Sequence, residues 1–363
     1  MIQKIQCLAL ICCFQLAMAG EVWADTVGNL YDETLIVESQ SQETRNLAAS
    51  EALQRVFVRV SGRSDAAENT NIRGSLAKPE VFITQYRYQR KVSGEGEDII
   101  ELSLSFSSRL VNEALQNSGL PVWSANRPAV LLWLLADTAE GRRFVGAGAD
   151  SGLLADLDQA VKRRGIALQM PLFDLADSTN LSADELWRMS VDDVRSASSR
   201  YSAPFILMGR ASQLSTGEWV ASWVILQGNE ILRLESDGKD GEALLRAPIN
   251  TLADLQAAKY SVLARQVGNE ESDTLIHISG VADFVAYANL VTYLEGLAVI
   301  QHANTVWLSG EDLILELVLN DDMNKVKRFL SLDGRLQEVA AVSGPQALAR
   351  PVSSFYHWTG HTL

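Results

Sequence analysis

The three cysteines of this 363-residue chain, Cys7, Cys12 and Cys13, all fall within its first thirteen residues. From residue 14 onward no disulfide and no cysteine-ligated metal is available. Whatever folds must therefore be held by buried apolar surface, hydrogen bonds and ion pairs alone. The cysteine-bearing segment is itself built like a secretory signal. Lys4 supplies a positive start, residues 5–19 are apolar except for Gln6 and Gln15, and Ala17 and Ala19 are the small residues of a cleavage site. Val22-Trp23-Ala24 offers a second site, so the expected signal peptide is residues 1–24 with cleavage after 19 or 24. A lipoprotein signal places a small residue before the modified cysteine, whereas Ile11 precedes Cys12. The apolar run is also shorter than the roughly 20 residues that a membrane span needs. The expectation is an exported, periplasmic protein whose mature chain is free of cysteine and of transmembrane spans.

At 47% hydrophobic and 21% charged residues, the chain has the composition of an ordered globular protein with room for several cores. A net charge of −14 argues against nucleic acid or anionic lipid as a general partner, because both select cationic surfaces. Residues 45–91 run against that background, with nine basic side chains to four acidic ones. Such a run ordinarily solvates a surface. Its functional reading is a docking face for an acidic partner, and Arg59, Arg63, Arg87 and Arg90 are its candidate residues.

Three modules are expected: a small α+β module (25–121), an open mixed-sheet α/β domain (128–268) and a βαββαβ module of ferredoxin-like order (273–342), followed by a flexible tail (343–363). In the first, apolar residues at helical spacing predict a helix from Arg45 that runs into a short strand at 56–60, stopped by Ser61-Gly62. Two paired strands, 84–92 and 99–106, flank a glycine-rich turn, and Ser108 opens a helix closed by Gly119. Pro121 and Pro128 bracket the first boundary. In the second, strands at 130–135, 166–170 and 205–209 alternate with helices at 153–164 and 182–201. An antiparallel pair at 219–226 and 231–234 follows, then a helix over 248–267 with Pro248 in its first turn. The third reads strand 275–279, helix 284–295, strands 299–307 and 313–319, helix 323–330 and strand 336–340.

Four groups of residues occur in order: Val58-Arg59-Val60-Ser61-Gly62-Arg63; Gln85-Tyr86-Arg87-Tyr88; Gly119-Leu120-Pro121-Val122-Trp123 with Asn126-Arg127-Pro128; and Arg163-Arg164-Gly165 with Pro171-Leu172 and Asp174. Over residues 31–263 the chain resembles an exported gammaproteobacterial family catalogued as domain of unknown function 2066. At the level of fold it is similar to small periplasmic envelope-assembly domains, of the flagellar assembly and TolB amino-terminal type. The resemblance implies an envelope location in a Gram-negative bacterium and brings no activity, cofactor or catalytic residue with it.

Motifs for chemistry fail on inspection. There is no Gly-x-Ser-x-Gly elbow, and no thiol beyond residue 13. The four histidines are His277 and His302 in expected strands and His357 and His361 in the tail, where Thr359 and Gly360 replace the glutamate pattern of a zinc helix. Asn320-Asp321-Asp322-Met323-Asn324 lacks the glycine and the final glutamate of a calcium loop and suits a helix cap better. The glycines of 146–152 are misspaced for a dinucleotide cradle. Asp174 and Asp177 follow a strand end with no histidine beside them. Trp219 and Trp223 share a strand face, suited to a core or to sugar stacking. The expectation is a non-enzymatic periplasmic module, without cofactor or metal, that binds unidentified envelope proteins, with Arg59, Arg63, Arg87, Arg90, Trp123, Arg127 and Asp174 as contact candidates. The alternative is a glycan- or peptide-binding protein or hydrolase with its site near the middle-domain loops. Phe355, Tyr356 and Trp358 make the tail a further candidate, for peripheral membrane contact.

Overall fold

The computed structural model describes residues 29–92, 96, 98–148, 152–201, 203–263, 274–332, 334–341 and 351–360. The expected signal peptide, most of the 93–96 turn, residues 149–151 of the 146–152 glycine cluster, His361 and residues 342–350 of the tail lie outside these. Three sheets, each in its own stretch of chain, form a mixed α/β architecture.

The first sheet has the order β1-β3-β2, built from β1 (Asp32–Val37), β2 (Ile83–Val92) and β3 (Asp98–Phe106), all antiparallel. Helix α1 (Gln42–Ser61) covers one face. Ser41 starts it by accepting from the Thr44 amide at 3.1 Å, and Gly62, at φ 71°, ends it by donating to the Val58 carbonyl. Val56–Val60, expected to be a strand, is the last turn of this helix. The β-branched residues suggest extension, but Val56 and Val60 lie one turn apart on the buried stripe with Ala49, Ala52, Leu53 and Phe57, and that packing overrides local propensity. Helix α2 (Thr70–Leu76) follows, and α3 (Ser108–Asn117), capped by Ser107, closes the core through Val111 and Leu115.

The second sheet has the order β5-β4-β7-β8-β9, with β6 beside the start of β4. Its strands are β4 (Val130–Thr138), β5 (Gly141–Phe144), β6 (Leu168–Gln169), β7 (Phe205–Gln213), β8 (Trp219–Gln227) and β9 (Glu230–Gly238). Val130 to Ala136 are buried without a break because β4 is covered on both faces. Val130, Leu132 and Leu134 face α4 (Gly152–Arg164) and α8 (Gly241–Tyr260). Leu131, Trp133 and Leu135 face α6 (Ala183–Trp187) and α7 (Val191–Ser198), which follow the short α5 (Leu175–Asn180). The single helix expected over 182–201 is therefore broken, near Met189 at φ 58°. Helix α8 begins at Gly241, capped by Asp240, seven residues before the expected start. Pro248 lies inside it and forgoes one amide bond.

The third sheet has five strands rather than four, in the order β11-β12-β10-β14-β13. The expected elements are present as β10 (Thr274–Ser279), α9 (Phe284–Glu295), β11 (Ile300–Ser309), β12 (Asp312–Leu319), α10 (Met323–Leu330) and β13 (Leu336–Glu338). A ferredoxin-like sheet sets the fourth strand beside the first. Here β14 (Val352–Trp358) takes that place, parallel to β10 and antiparallel to β13. The end of the expected flexible tail is thus a central strand. Tyr356 and Trp358 are buried against α9 and the sheet, which removes them from any membrane-contact surface. The core of this module is continuous with that of the middle one through Tyr260 and Phe329, whose rings meet edge to face at 6.0 Å.

Trp358→Ala is expected to cost about 3–5 kcal/mol, the range for a core tryptophan, measured as a shift of the urea unfolding midpoint. A loss below about 1 kcal/mol would mark the residue as part of a loose terminus.

Candidate functional site

The candidate residues fall into three places. Arg59, Trp123 and Arg127 meet inside the junction between the first two modules. Trp123 and Arg127 are each 0% exposed. The Trp123 amide donates to the Val60 carbonyl at 2.7 Å, fixing residues 123–128 against the end of α1. Arg127 carries five N–H donors, and each hydrogen bonds to a backbone carbonyl. Nε donates to Ser124 at 3.0 Å, Nη1 to Arg164 at 2.9 Å and Gly165 at 2.7 Å, and Nη2 to Arg59 at 2.8 Å and Trp123 at 3.0 Å. The Trp123 ring stacks on the guanidinium at 3.7 Å.

Three of those carbonyls belong to the ends of α1 and α4, the negative poles of two helices that lack intrahelical donors. The fit needs Gly165, at φ 63°, because a Cβ there would stand 2.5 Å from Arg127 Nη1. Burial, then the nearby charge of Arg59, pushes the Arg127 guanidinium well below its usual pKa.

Arg59 ties β1 to the same point, donating to the carbonyls of Leu30 at 2.9 Å, Asp32 at 2.6 Å and Lys162 at 3.2 Å, with Glu33 at 3.0 Å as counter-ion. Arg164 completes the cluster, donating to the Gly62 carbonyl, Asn250 and Asp254 at 2.7–2.9 Å. These three arginines hold modules together, and Arg59 and Arg127 have every guanidinium nitrogen engaged in the joint. The boundary expected between Pro121 and Pro128 is a packed joint.

Arg63, Arg87 and Arg90 are exposed. Arg63 pairs with Asp65. Arg87 and Arg90 lie on β2, the last strand of its sheet, so among the described residues its outer edge has no neighbouring strand. Lys91 joins them, bridged to Glu101 at 2.7 Å, and Arg45 stacks over Tyr86 at 4.8 Å.

Asp174 caps α5 by accepting from the Asp177 amide and grips Arg200 with both oxygens at 2.8 and 2.9 Å. The Arg200 hydrogen bond, with the amide bonds, holds its carboxyl below the usual range. Asp177 is buried, where it accepts from the Phe173 amide and the Tyr201 hydroxyl. Burial and that bond push the Tyr201 hydroxyl up to about 12. Both carboxylates brace a loop and engage Arg200 together.

The remaining motifs resolve into structure. Trp223 is buried and donates to Ser236 at 2.8 Å, so the Trp219–Trp223 face belongs to the core. Trp187 lines a cleft of about 490 Å³ beside Ser212, Ser222 and Ser236, but Arg142 lies over its ring at 4.0 Å, where a sugar would stack. Ser279 Oγ meets His357 Nδ1 at 3.1 Å, whereas Asp312 engages His277 at 3.3 Å, so serine, imidazole and carboxylate do not form one relay. Asp322 caps α10 and Asp321 pairs with Lys325. Among the described residues no group of three His, Cys, Asp or Glu is placed to hold a metal, and no helix is long and apolar enough to cross a membrane.

Sequence reasoning missed the roles of Arg163, Arg164, Arg246 and Glu242, which α4 and α8 bring together beside α1. The available signal was the Arg163-Arg164-Gly165 stop of α4, where cations suit the helix end.

Residues 24–124 match the family described as Domain of unknown function (DUF8605). This corrects the resemblance to domain of unknown function 2066, since the match is to a different family and ends before the middle domain. No curated protein and no solved structure matches the chain, so the similarity to flagellar assembly and TolB-type domains finds no support.

Tyr201 keeps its proton up to about pH 12 when folded, against 10.0 as the ordinary value. A raised folded pKa stabilises fully below pH 10 and loses that contribution as pH rises through about 12. Tyr201→Phe is expected to flatten that part of the alkaline unfolding curve, followed as urea midpoint against pH. An unchanged slope would assign the proton uptake to another group.

Proposed function

We propose that the protein is an exported, non-enzymatic binding or assembly module of a Gram-negative envelope, and that it receives an acidic partner segment along the free edge of β2. The observation that carries this reading is the edge itself. It is ten residues long, solvent-exposed along most of its length and, among the described residues, unpaired on its outer side, and it presents Arg87, Arg90 and Lys91 in a chain of net charge −14. An unpaired strand offers a row of amides and carbonyls to an added strand, and side chains at its rim choose the charge of what is added. The signal-like residues 1–24 support export, and the failed nucleophile and metal motifs support binding over catalysis.

Arg87→Glu with Arg90→Glu reverses two charges on exposed positions and leaves the core untouched. In intact cells, crosslinking through Lys78 or Lys91 followed by mass spectrometry is expected to name an envelope protein with the natural chain and lose it with the double variant. Hydrogen exchange of residues 83–92 is expected to slow in the complex. Capture that survives the charge reversal, or exchange that stays fast, would overturn the docking edge.

A further inference from the structure

The arginine cluster has an outer side. A cleft of about 230 Å³ opens between α1, α4 and α8, and Arg55, Arg163, Arg164 and Arg246 line it with a single carboxylate, Glu242. Of these four guanidiniums, from three helices, Arg163 and Arg246 share Glu242 as counter-charge. Glu242 Oε1 accepts from Arg163 at 2.9 Å and stands 3.7 Å from Arg246. The Arg163 hydrogen bond and the surrounding cations hold its carboxyl below the usual range. Arg55 is drawn outward to Glu33 at 3.2 Å and Glu51 at 2.6 Å, and Arg164 to Asp254.

Donors remain. Arg164 is 5% exposed, yet its Nε–H, unlike its two terminal nitrogens, has no hydrogen-bond partner among the described residues. A buried charged donor left unpaired is costly, and a guanidinium fork matches the oxygens of a carboxylate or phosphate. Val58 and Ile249 supply apolar wall, which lowers the local dielectric and strengthens charge recognition.

We propose that this cleft binds a small oxyanion, a phosphate or carboxylate group, with Glu242 as the internal anion that occupies Arg163 and Arg246 until the ligand takes them. The volume suits a molecule of a few heavy atoms rather than a polymer, since a water in the liquid takes about 30 Å³. The site draws α1 from the first module and α4 and α8 from the second, so its occupant bridges the same joint that Arg127 holds from inside. Ligand binding therefore stabilises the folded chain, by linkage.

The test uses the intact mature chain with two probes, inorganic phosphate and citrate, titrated calorimetrically at ionic strength matched with sodium chloride. Binding of either probe, at least tenfold tighter in Glu242→Gln and at least tenfold weaker in Arg246→Gln, is the expected result. The probe that binds distinguishes a phosphoryl from a polycarboxylate ligand. Arg246 is largely exposed, so its variant is expected to keep the natural urea midpoint. No heat from either probe up to about 1 mM, the upper end of ordinary substrate-binding constants, in both the natural chain and Glu242→Gln would overturn the site. Affinity indifferent to both substitutions would overturn it equally.

The inner side of the same cluster is tested through Arg127. Arg127→Ala leaves five carbonyls without their donor and is expected to lower the urea midpoint strongly, with Trp123 fluorescence changing in the same transition. A midpoint within error of the natural chain would mean that the joint is held elsewhere.

Discussion

A single cation held by five backbone carbonyls is the constraint on which the rest of the structure depends. Among the described residues Arg127 has no carboxylate within its shell, and its neighbours Arg59 and Arg164 repel it. The compensation comes from geometry: every N–H is matched by an oxygen, and two helix ends aim their negative poles at the same point. Moving either helix by an ångström breaks several bonds at once in a water-poor site. Module orientation is therefore tightly set, and a joint of this kind behaves as part of the core rather than as a linker.

The absence of thiols beyond residue 13 gives that joint its weight. Disulfides, which often fasten the domains of exported proteins, are closed to residues 14–363. Buried guanidiniums do comparable work with a different sensitivity, because their bonds lie out of reach of reductants and, through burial, are weakly screened by salt. The third module is secured in a second way. Its own C-terminal strand enters the middle of the sheet, and Tyr260 and Phe329 merge its core with that of the neighbouring domain.

Most elements were legible in the sequence, and the misses share a cause. The alternation of β3, the unbroken apolar run of β4 and the capping box of α6 follow from local pattern and are found as expected. The end of α1 was misread because Val56, Val58 and Val60 signal extension locally, while the buried stripe that decides the matter spans the whole helix. β14 was misread because glycines and prolines before it suggested a tail, and a central strand needs a partner, here β10, some 80 positions earlier. The junction residues were noticed as groups but assigned outward. Carbonyl acceptors belong to every residue type, so a guanidinium that bonds only to backbone leaves no mark on its partners' identities. A count of nine cations against four anions likewise mixes Arg59, sealed inside, with Arg87 and Arg90, which face solvent.

That division of the basic run bears on how β2 avoids pairing with itself. An exposed ten-residue edge is an aggregation hazard, and cations along such an edge are a common defence. Two copies meeting edge to edge would bring Arg87, Arg90 and Lys91 against one another, and like charges placed opposite on paired strands are destabilising. The same side chains leave an acidic segment unopposed and add attraction to the backbone bonds it would form. In the proposed docking, closure against self and openness to an acidic segment thus arise from one set of residues. Lys91 alone is answered within the sheet, by Glu101, so the selectivity of the edge rests on Arg87 and Arg90. Arg87 lies on the face opposite Leu102 and Leu104, which α1 covers, whereas Arg90 pairs with Ile100 on the covered face and is exposed toward the far end of the strand; α1 in turn is fixed by the joint at its C-terminal end.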